Sequence, residues 1–303
     1  MAAKARVSVV GAGLMGHGIA QVFAAHGHAV RVFDSAGAML DTLNERIRAN
    51  LADLDQDVSA ADHVIAIPVL ADAVRDADVV IEAGPENLAI KQRLFLDIEA
   101  AAPRDAILAS NTSVIPITQI MAPLKHKSRG LGTHWWNPPF LVPLVEVIRT
   151  EWTDSAVLAR TSDLLRDVGK TPVTVNKDVA GFVGNRLQHA LWREAIALVQ
   201  NGVCDAQTVD TVVKASFGRR LAVLGPLENA DLVGTDLTLA IHETVLPDID
   251  TTPGALPYLR QLVESGRLGM KSGEGFRRWT QEEQQALRRR VTGYLRDLLK
   301  RGI

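Results

Sequence analysis

Three glycines constrain this chain more than any other feature. Gly11-x-Gly13-x-x-Gly16 follows the β-branched run Arg6-Val7-Ser8-Val9-Val10 and opens a helical pattern from about Met15 to Ala25. A short β-branched apolar run suits a strand buried on both faces. His26-Gly27-His28 stops the helical pattern, and Ala29-Val30-Arg31-Val32-Phe33 reads as a second strand. The three pieces form a βαβ unit with a short crossover. In such a unit the first glycine permits a tight turn, the second lets a pyrophosphate approach the backbone, and the third lets helix and strand pack closely. The helix start, with Leu14 and Met15, offers free N–H groups and the positive end of a dipole to phosphates. Asp34 closes the second strand. Its carboxylate would accept hydrogen bonds from ribose hydroxyls and repel a 2′-phosphate, so NAD is the expected cofactor.

Further runs of the same texture follow, at residues 64–68, 77–82, 106–110 and 128–134, with helical stretches such as 91–101 between most of them. This alternation predicts an α/β fold, a doubly wound, mostly parallel sheet of the Rossmann type. Near residue 176 the texture changes. Helical patterns are predicted over 183–199, from Asp205 as N-cap to about Gly218, and over 229–246, 255–265 and 281–300, with no convincing strand. Two domains are therefore expected: 1–177 for the dinucleotide and 178–303, all helical, for substrate binding and dimerisation. A length of 303 residues suffices for both. A net charge of −2 argues against a general affinity for nucleic acid or anionic membrane. One cysteine, Cys204, excludes a disulfide framework, and together with an N-terminal run interrupted by glycines it places the protein in the cytoplasm.

The chemistry is expected in Gly132-Thr133-His134-Trp135-Trp136-Asn137-Pro138-Pro139, at the end of a predicted strand. Glu146 lies twelve residues after His134, inside the apolar run 140–148. A carboxylate there needs a partner, and His134 is the obvious one. His26 and His28 flank a glycine without a third ligand nearby, so no metal site is expected.

The chain resembles the 3-hydroxyacyl-CoA dehydrogenase family over nearly its whole length. The resemblance rests on the glycine fingerprint, on Glu86-Asn87-Leu88 with Lys91, and on Ser110-Asn111-Thr112-Ser113. It rests also on His134 through Glu146, on Gly181-Phe182-Val183-Gly184-Asn185-Arg186, and on Gly269-Met270-Lys271-Ser272-Gly273-Glu274-Gly275-Phe276. It implies an NAD-dependent dehydrogenase acting on a CH–OH group. His134 would take the hydroxyl proton as hydride leaves the same carbon, and Glu146 would orient the ring and stabilise the imidazolium. Ser113 and Asn185 would hydrogen-bond the reacting oxygen, with Asn185 supplied by the second domain so that the site falls between domains. Glu86, Lys91 and Asn111 are expected at the cofactor. The family also implies a homodimer formed through the helical domain.

The substrate is less constrained. Between Lys4 and Lys91 there is no lysine, and 36–64 offers only Arg46 and Arg48 beside acids such as Asp41, Glu45, Asp53, Asp55 and Asp57. Acyl-CoA members carry a lysine-bearing helical arm there, and a phosphate-rich carrier favours basic partners. The loop after His134 looks more like the lambda-crystallin and L-gulonate 3-dehydrogenase branch, and its Leu-Val-Glu-Val setting is shared with carnitine dehydrogenases. A compact free hydroxy acid resembling L-gulonate, L-carnitine or 3-hydroxybutyrate is therefore expected. An L-3-hydroxyacyl-CoA, or a carbonyl or imine reduced on the same scaffold, are the alternatives. Trp135 and Trp136 are candidates for a pocket wall, and Arg186, Arg219 or Arg220 for holding a carboxylate.

Overall fold

The computed structural model describes residues 4–302. Contacts divide the chain into two units, one of residues 1–186 with 294–303 and one of residues 187–293.

The first unit is built on one sheet. Its strands are β1 (Arg6–Val10), β2 (Ala29–Phe33), β3 (Val64–Ala66), β4 (Val79–Glu82), β5 (Ile107–Ser110), β6 (Gly130–Trp135), β7 (Leu144–Ile148) and β8 (Thr171–Val175). They lie in the order β3-β2-β1-β4-β5-β6-β7-β8. The first six strands are mutually parallel; β7 runs antiparallel to β6, and β8 parallel to β7. The order reverses between β1 and β4, the switch point where such sheets open a ligand crevice. The third strand is shorter than the sequence suggested, ending at Ala66. The last two strands were not foreseen: β7 reads as an apolar run broken by a carboxylate, and β8 has only one buried residue, Val175.

Helices α1 (Leu14–Ala25), α2 (Gly37–Asp41), α3 (Leu43–Asp53), α4 (Leu70–Val74), α5 (Leu88–Ala101), α6 (Ile117–Met121) and α7 (Ser155–Asp167) cover this sheet. One core cluster joins Val9, Ile19, Phe23, Ile47, Leu51, Val145 and Leu165; the other joins Val10, Phe95, Ile98, Ile120, Met121 and Phe182. Each such side chain removed from water is worth about 1.5–3 kcal/mol, so the two layers fix the strand ends that carry the site.

Helices α8 (Gly184–Gln200), α9 (Ala206–Ala215), α10 (Pro226–Val233), α11 (Thr235–Val245), α12 (Pro257–Glu264) and α13 (Gln281–Arg301) follow. Asp205 caps α9 by accepting from the Thr208 N–H at 2.7 Å. The single helix expected over 229–246 is two helices: Gly234, at φ +105°, leaves the helical region and breaks the run. The second unit hides little of its apolar surface. Helices α9, α10 and α11 have no buried residue, and Val223, Leu227 and Leu232 are each more than 70% exposed. Among the described residues no helix is long and apolar enough to cross a membrane.

Candidate active site

The glycine turn has the shape a dinucleotide requires. Gly11 sits at φ +109°, and a Cβ there would lie 2.6 Å from the Ala83 carbonyl oxygen. A Cβ on Gly16 would come within 1.7 Å of the Gly11 carbonyl oxygen, so the close packing of α1 on β1 requires glycine at both places. Above Gly13 the space is open to 4 Å. The first helical bond of α1 runs from His17 N–H to Gly13 O, and no side chain caps the helix. The N–H groups of Leu14, Met15 and Gly16 therefore lack intrahelical partners and face an anion's natural place. Asp34 stands over the turn, accepting from the N–H groups of Ala12 at 2.7 Å and Ala36 at 2.8 Å. An open cradle at Gly13, free helix N–H groups and a carboxylate at the end of β2 fit an NAD pyrophosphate and ribose.

His134 and Glu146 are direct cross-strand partners on β6 and β7. The spacing of twelve is what a hairpin needs to bring one opposite the other, and period-two alternation points both side chains to the same face. The Nδ1 of His134 lies 2.6 Å from Glu146 Oε2, and both residues are buried. The other oxygen of Glu146 accepts from the N–H groups of Val183 at 2.9 Å and Gly184 at 3.0 Å, at the start of α8. Burial pushes the Glu146 carboxyl up, but the His134 ring and these two backbone donors outweigh it and hold the carboxyl below its usual range. An ionised carboxylate can only accept, so Nδ1 is the donor in this contact, and the neutral tautomer it favours has its lone pair on Nε2. Phe182 and Trp136 pack against the imidazole, with ring centroids 5.5 and 5.2 Å away. Gly184 makes room for the second of these rings: a Cβ there would lie 2.4 Å from Trp136.

The turn after β5 brings the remaining polar groups alongside. Asn185 donates from Nδ2 to the Ser113 carbonyl at 2.9 Å, while the Ser113 side chain is exposed. Asn111 accepts from the Trp135 N–H at 3.0 Å, tying this turn to the end of β6. Glu86 accepts from Thr112 Oγ1 and from the N–H groups of Ser113 at 3.1 Å and Val114 at 3.2 Å. Burial would raise the Glu86 carboxyl, but the Thr112 hydroxyl, the Lys91 charge and these N–H groups together hold it low. Arg186, one residue after Asn185, is exposed.

One expectation needs correction. Trp135 lines no pocket beside His134: alternation along β6 turns it to the opposite face, where it is 2% exposed and packs on Phe23 at 6.0 Å. Lys91, expected at the cofactor with Glu86, has its ammonium held by a second carboxylate. It is fully buried, with Nζ 2.7 Å from Glu82 Oε1 and 3.0 Å from Oε2, and only 3.6 Å from Glu86. Glu82 was not singled out from the sequence, yet it also accepts from Ser110 Oγ and from the Gly84 N–H, each at 2.7 Å. The signal was present: a carboxylate ending an otherwise apolar strand needs a partner, by the argument that drew attention to Glu146.

Residues 6–179 match the NAD-binding domain of 3-hydroxyacyl-CoA dehydrogenase, and residues 181–279 match its C-terminal domain. The chain belongs to the 3-hydroxyacyl-CoA dehydrogenase family. It is an NAD-dependent dehydrogenase acting on a CH–OH group. Among relatives, 5-formyl-3-hydroxy-2-methylpyridine 4-carboxylate 5-dehydrogenase of Mesorhizobium japonicum is 37% identical over 292 residues, 93% of each chain. A crystal structure of a dehydrogenase of that name, described as an NAD+-dependent dismutase, superposes with a TM-score of 0.91 at 33% identity, covering 99% of both chains. The (S)-3-hydroxybutyryl-CoA dehydrogenase of Ralstonia eutropha superposes with a TM-score of 0.77 at 31% identity, covering 92% of this chain and 100% of that one. L-carnitine dehydrogenase of Streptomyces coelicolor is 36% identical over 233 residues, 76% of this chain and 73% of that one.

Proposed function

We propose that this dehydrogenase acts on a compact free acid rather than on an acyl-CoA. The observation that carries the reading is the state of the two arginines between β2 and β3. Arg46 donates to the carbonyls of Ala12 and Met39, and Arg48 pairs with Asp62. Arg46 is thus engaged with the backbone and Arg48 with a surface carboxylate, and no lysine lies between Lys4 and Lys91. The pyridine carboxylate dehydrogenase is named for a small free acid, as L-carnitine dehydrogenase is for another. These relatives replace the lambda-crystallin and L-gulonate branch as the guide to substrate chemistry. The relatives named for 3-hydroxybutyryl-CoA, at equal identity, favour the acyl-CoA reading as the second one.

In this reading NAD, when bound along Gly11–Gly16 and Asp34, supplies the hydride acceptor. Glu86 and Asn111 hold the turn that borders it. His134 Nε2 accepts the proton of the substrate hydroxyl, and Glu146 stabilises the imidazolium that results. The Ser113 hydroxyl and the free N–H of the Asn185 amide hold the reacting oxygen in both directions. Arg186 supplies the charge for the substrate carboxylate, and Trp136, packed on the imidazole, limits the room beside it.

Initial-rate assays with NAD test the substrate. The panel comprises 5-formyl-3-hydroxy-2-methylpyridine 4-carboxylate, L-carnitine, L-gulonate, L-3-hydroxybutyrate and L-3-hydroxybutyryl-CoA. A free compound should give the highest kcat/KM. Turnover of the CoA ester alone would restore the second reading. The exposed apolar helices of residues 187–293 support a homodimer, since association would remove them from water. Light scattering at micromolar concentration should give twice the chain mass. The lone cysteine supports a cytoplasmic setting.

A further inference from the structure

Lys170 is a charged side chain in a place that offers it no counter-charge. It follows α7, at the turn before β8, and its ammonium points back under the segment that joins β6 to β7. Nζ donates to the carbonyls of Pro139 and, at 3.1 Å, Val142. It also lies over the Trp135 ring, 5.7 Å from the centroid. The charged neighbours on its own turn are taken up elsewhere: Arg166 pairs with Asp163, and Asp167 with Lys4 and His28. From α1, His17 bonds the Gly13 carbonyl and His26 the Val22 carbonyl. The 137–143 segment itself carries no titratable group.

That segment touches the dinucleotide helix on its other side. A Cβ on Gly18 would lie 3.0 Å from Pro139 and 3.3 Å from the Phe140 ring. One end of the segment continues from His134 and Trp136, and the other leads into β7 with Glu146. It is thus held between α1, which starts at the glycine turn, and the Lys170 ammonium.

We propose that Lys170 is a positioning residue: it clamps the 137–143 segment onto α1 and thereby fixes how the dinucleotide helix and the His134 end of β6 approach each other. Charge-assisted bonds to two carbonyls are stronger than those of a neutral amine. Loss of the proton slackens the clamp without touching the His134–Glu146 contact, which the sheet ladder holds. Burial alone pushes the Lys170 ammonium down, to about 8. The clamp therefore weakens in a mildly alkaline range where an ordinary lysine would stay charged.

The inference rests on His134 as the proton acceptor, and the test separates the two. Tryptophan emission of the NADH-bound enzyme, followed as pH is raised, reads the clamp through Trp135 without any turnover. It should change with a midpoint near 8 in the wild type, and Lys170→Arg, which keeps its charge, should lack that change. Turnover of the best substrate of the panel reports on positioning. Lys170→Met should lower kcat by about tenfold with KM for NAD changed less than about twofold, because geometry rather than binding is lost. Lys170→Arg should recover most of that kcat, and the alkaline fall of the wild-type kcat should disappear. A Lys170→Met enzyme with wild-type kcat and pH profile would overturn the proposal. So would an emission midpoint that persists in Lys170→Arg. If the methionine variant does not fold, the wild type and the arginine variant decide by emission and alkaline profile together.

Discussion

Replacing Glu82 by glutamine would leave the Lys91 ammonium buried with only the more distant Glu86, 3.6 Å away, as counter-charge. Both side chains are fully buried, and the carboxylate holds Lys91 Nζ, Ser110 Oγ and the Gly84 N–H together at 2.7–3.0 Å. Breaking a buried pair by removing one charge costs about 3–5 kcal/mol, most of it the desolvation of the survivor. Against a typical folding stability of about 5–15 kcal/mol, that loss is easily read in urea unfolding. The double variant Glu82→Gln/Lys91→Met removes both charges and keeps the volumes close. The glutamine carbonyl still accepts from Ser110 or Gly84, so the double variant should lose less than about 2 kcal/mol. Its stability should therefore exceed that of Glu82→Gln. In the double variant Glu86, freed from the nearby Lys91 charge, should hold the Ser113 turn less firmly, so kcat should fall even where stability returns. A Glu82→Gln variant within about 1 kcal/mol of wild type would refute the reasoning. So would a double variant as unstable as the sum of the two single ones.

Three further outcomes follow from the site. His134→Gln should lower kcat by roughly 10²–10⁴-fold while NADH binding, followed by fluorescence, changes little; near-wild-type kcat would remove His134 as the proton acceptor. Asp34→Ser should weaken the preference for NAD over NADP, measured as the ratio of kcat/KM values, because the charge opposing a 2′-phosphate is gone. The folded Glu146 carboxyl titrates below its unfolded counterpart, so the stability it contributes is complete above the ordinary glutamate range and is lost as pH falls through the lower folded value. Urea midpoints should accordingly drop less steeply in acid for Glu146→Gln than for wild type, and equal slopes would count against an ionised Glu146 in the folded state.

Much of this site was legible because the chemistry demands rare residues at fixed places. Glycine at 11 and 16 is dictated by a backbone approach that any Cβ would block, and a buried glutamate twelve residues from a histidine calls for that histidine. What stayed hidden depended on neighbours distant in sequence. Glu82 has partners at 84, 91 and 110, and no local spacing announces that set. The strand β8 alternates weakly because four of its five residues are not buried, so periodicity had nothing to register. The Trp135 and Trp136 pair was decidable in principle, since a strand that turns His134 to one face must turn residue 135 to the other. The helix break at Gly234 was readable only as a glycine inside an apolar pattern, which helices often tolerate.

The antiparallel pairing of β6 with β7 has a consequence for how this scaffold can vary. The histidine and its carboxylate face each other across one rung of the ladder, not across loops, so their separation is inherited from the stiffness of the sheet. The connecting residues 136–143 can change at positions that leave the Lys170 and α1 contacts intact while the ladder keeps the pair opposed. A slip of one rung, by contrast, would turn His134 into the core and bring Trp135 out in its place. The pair is thus set by the sheet itself, and the segment between its strands is open to change only where it meets neither Lys170 nor α1.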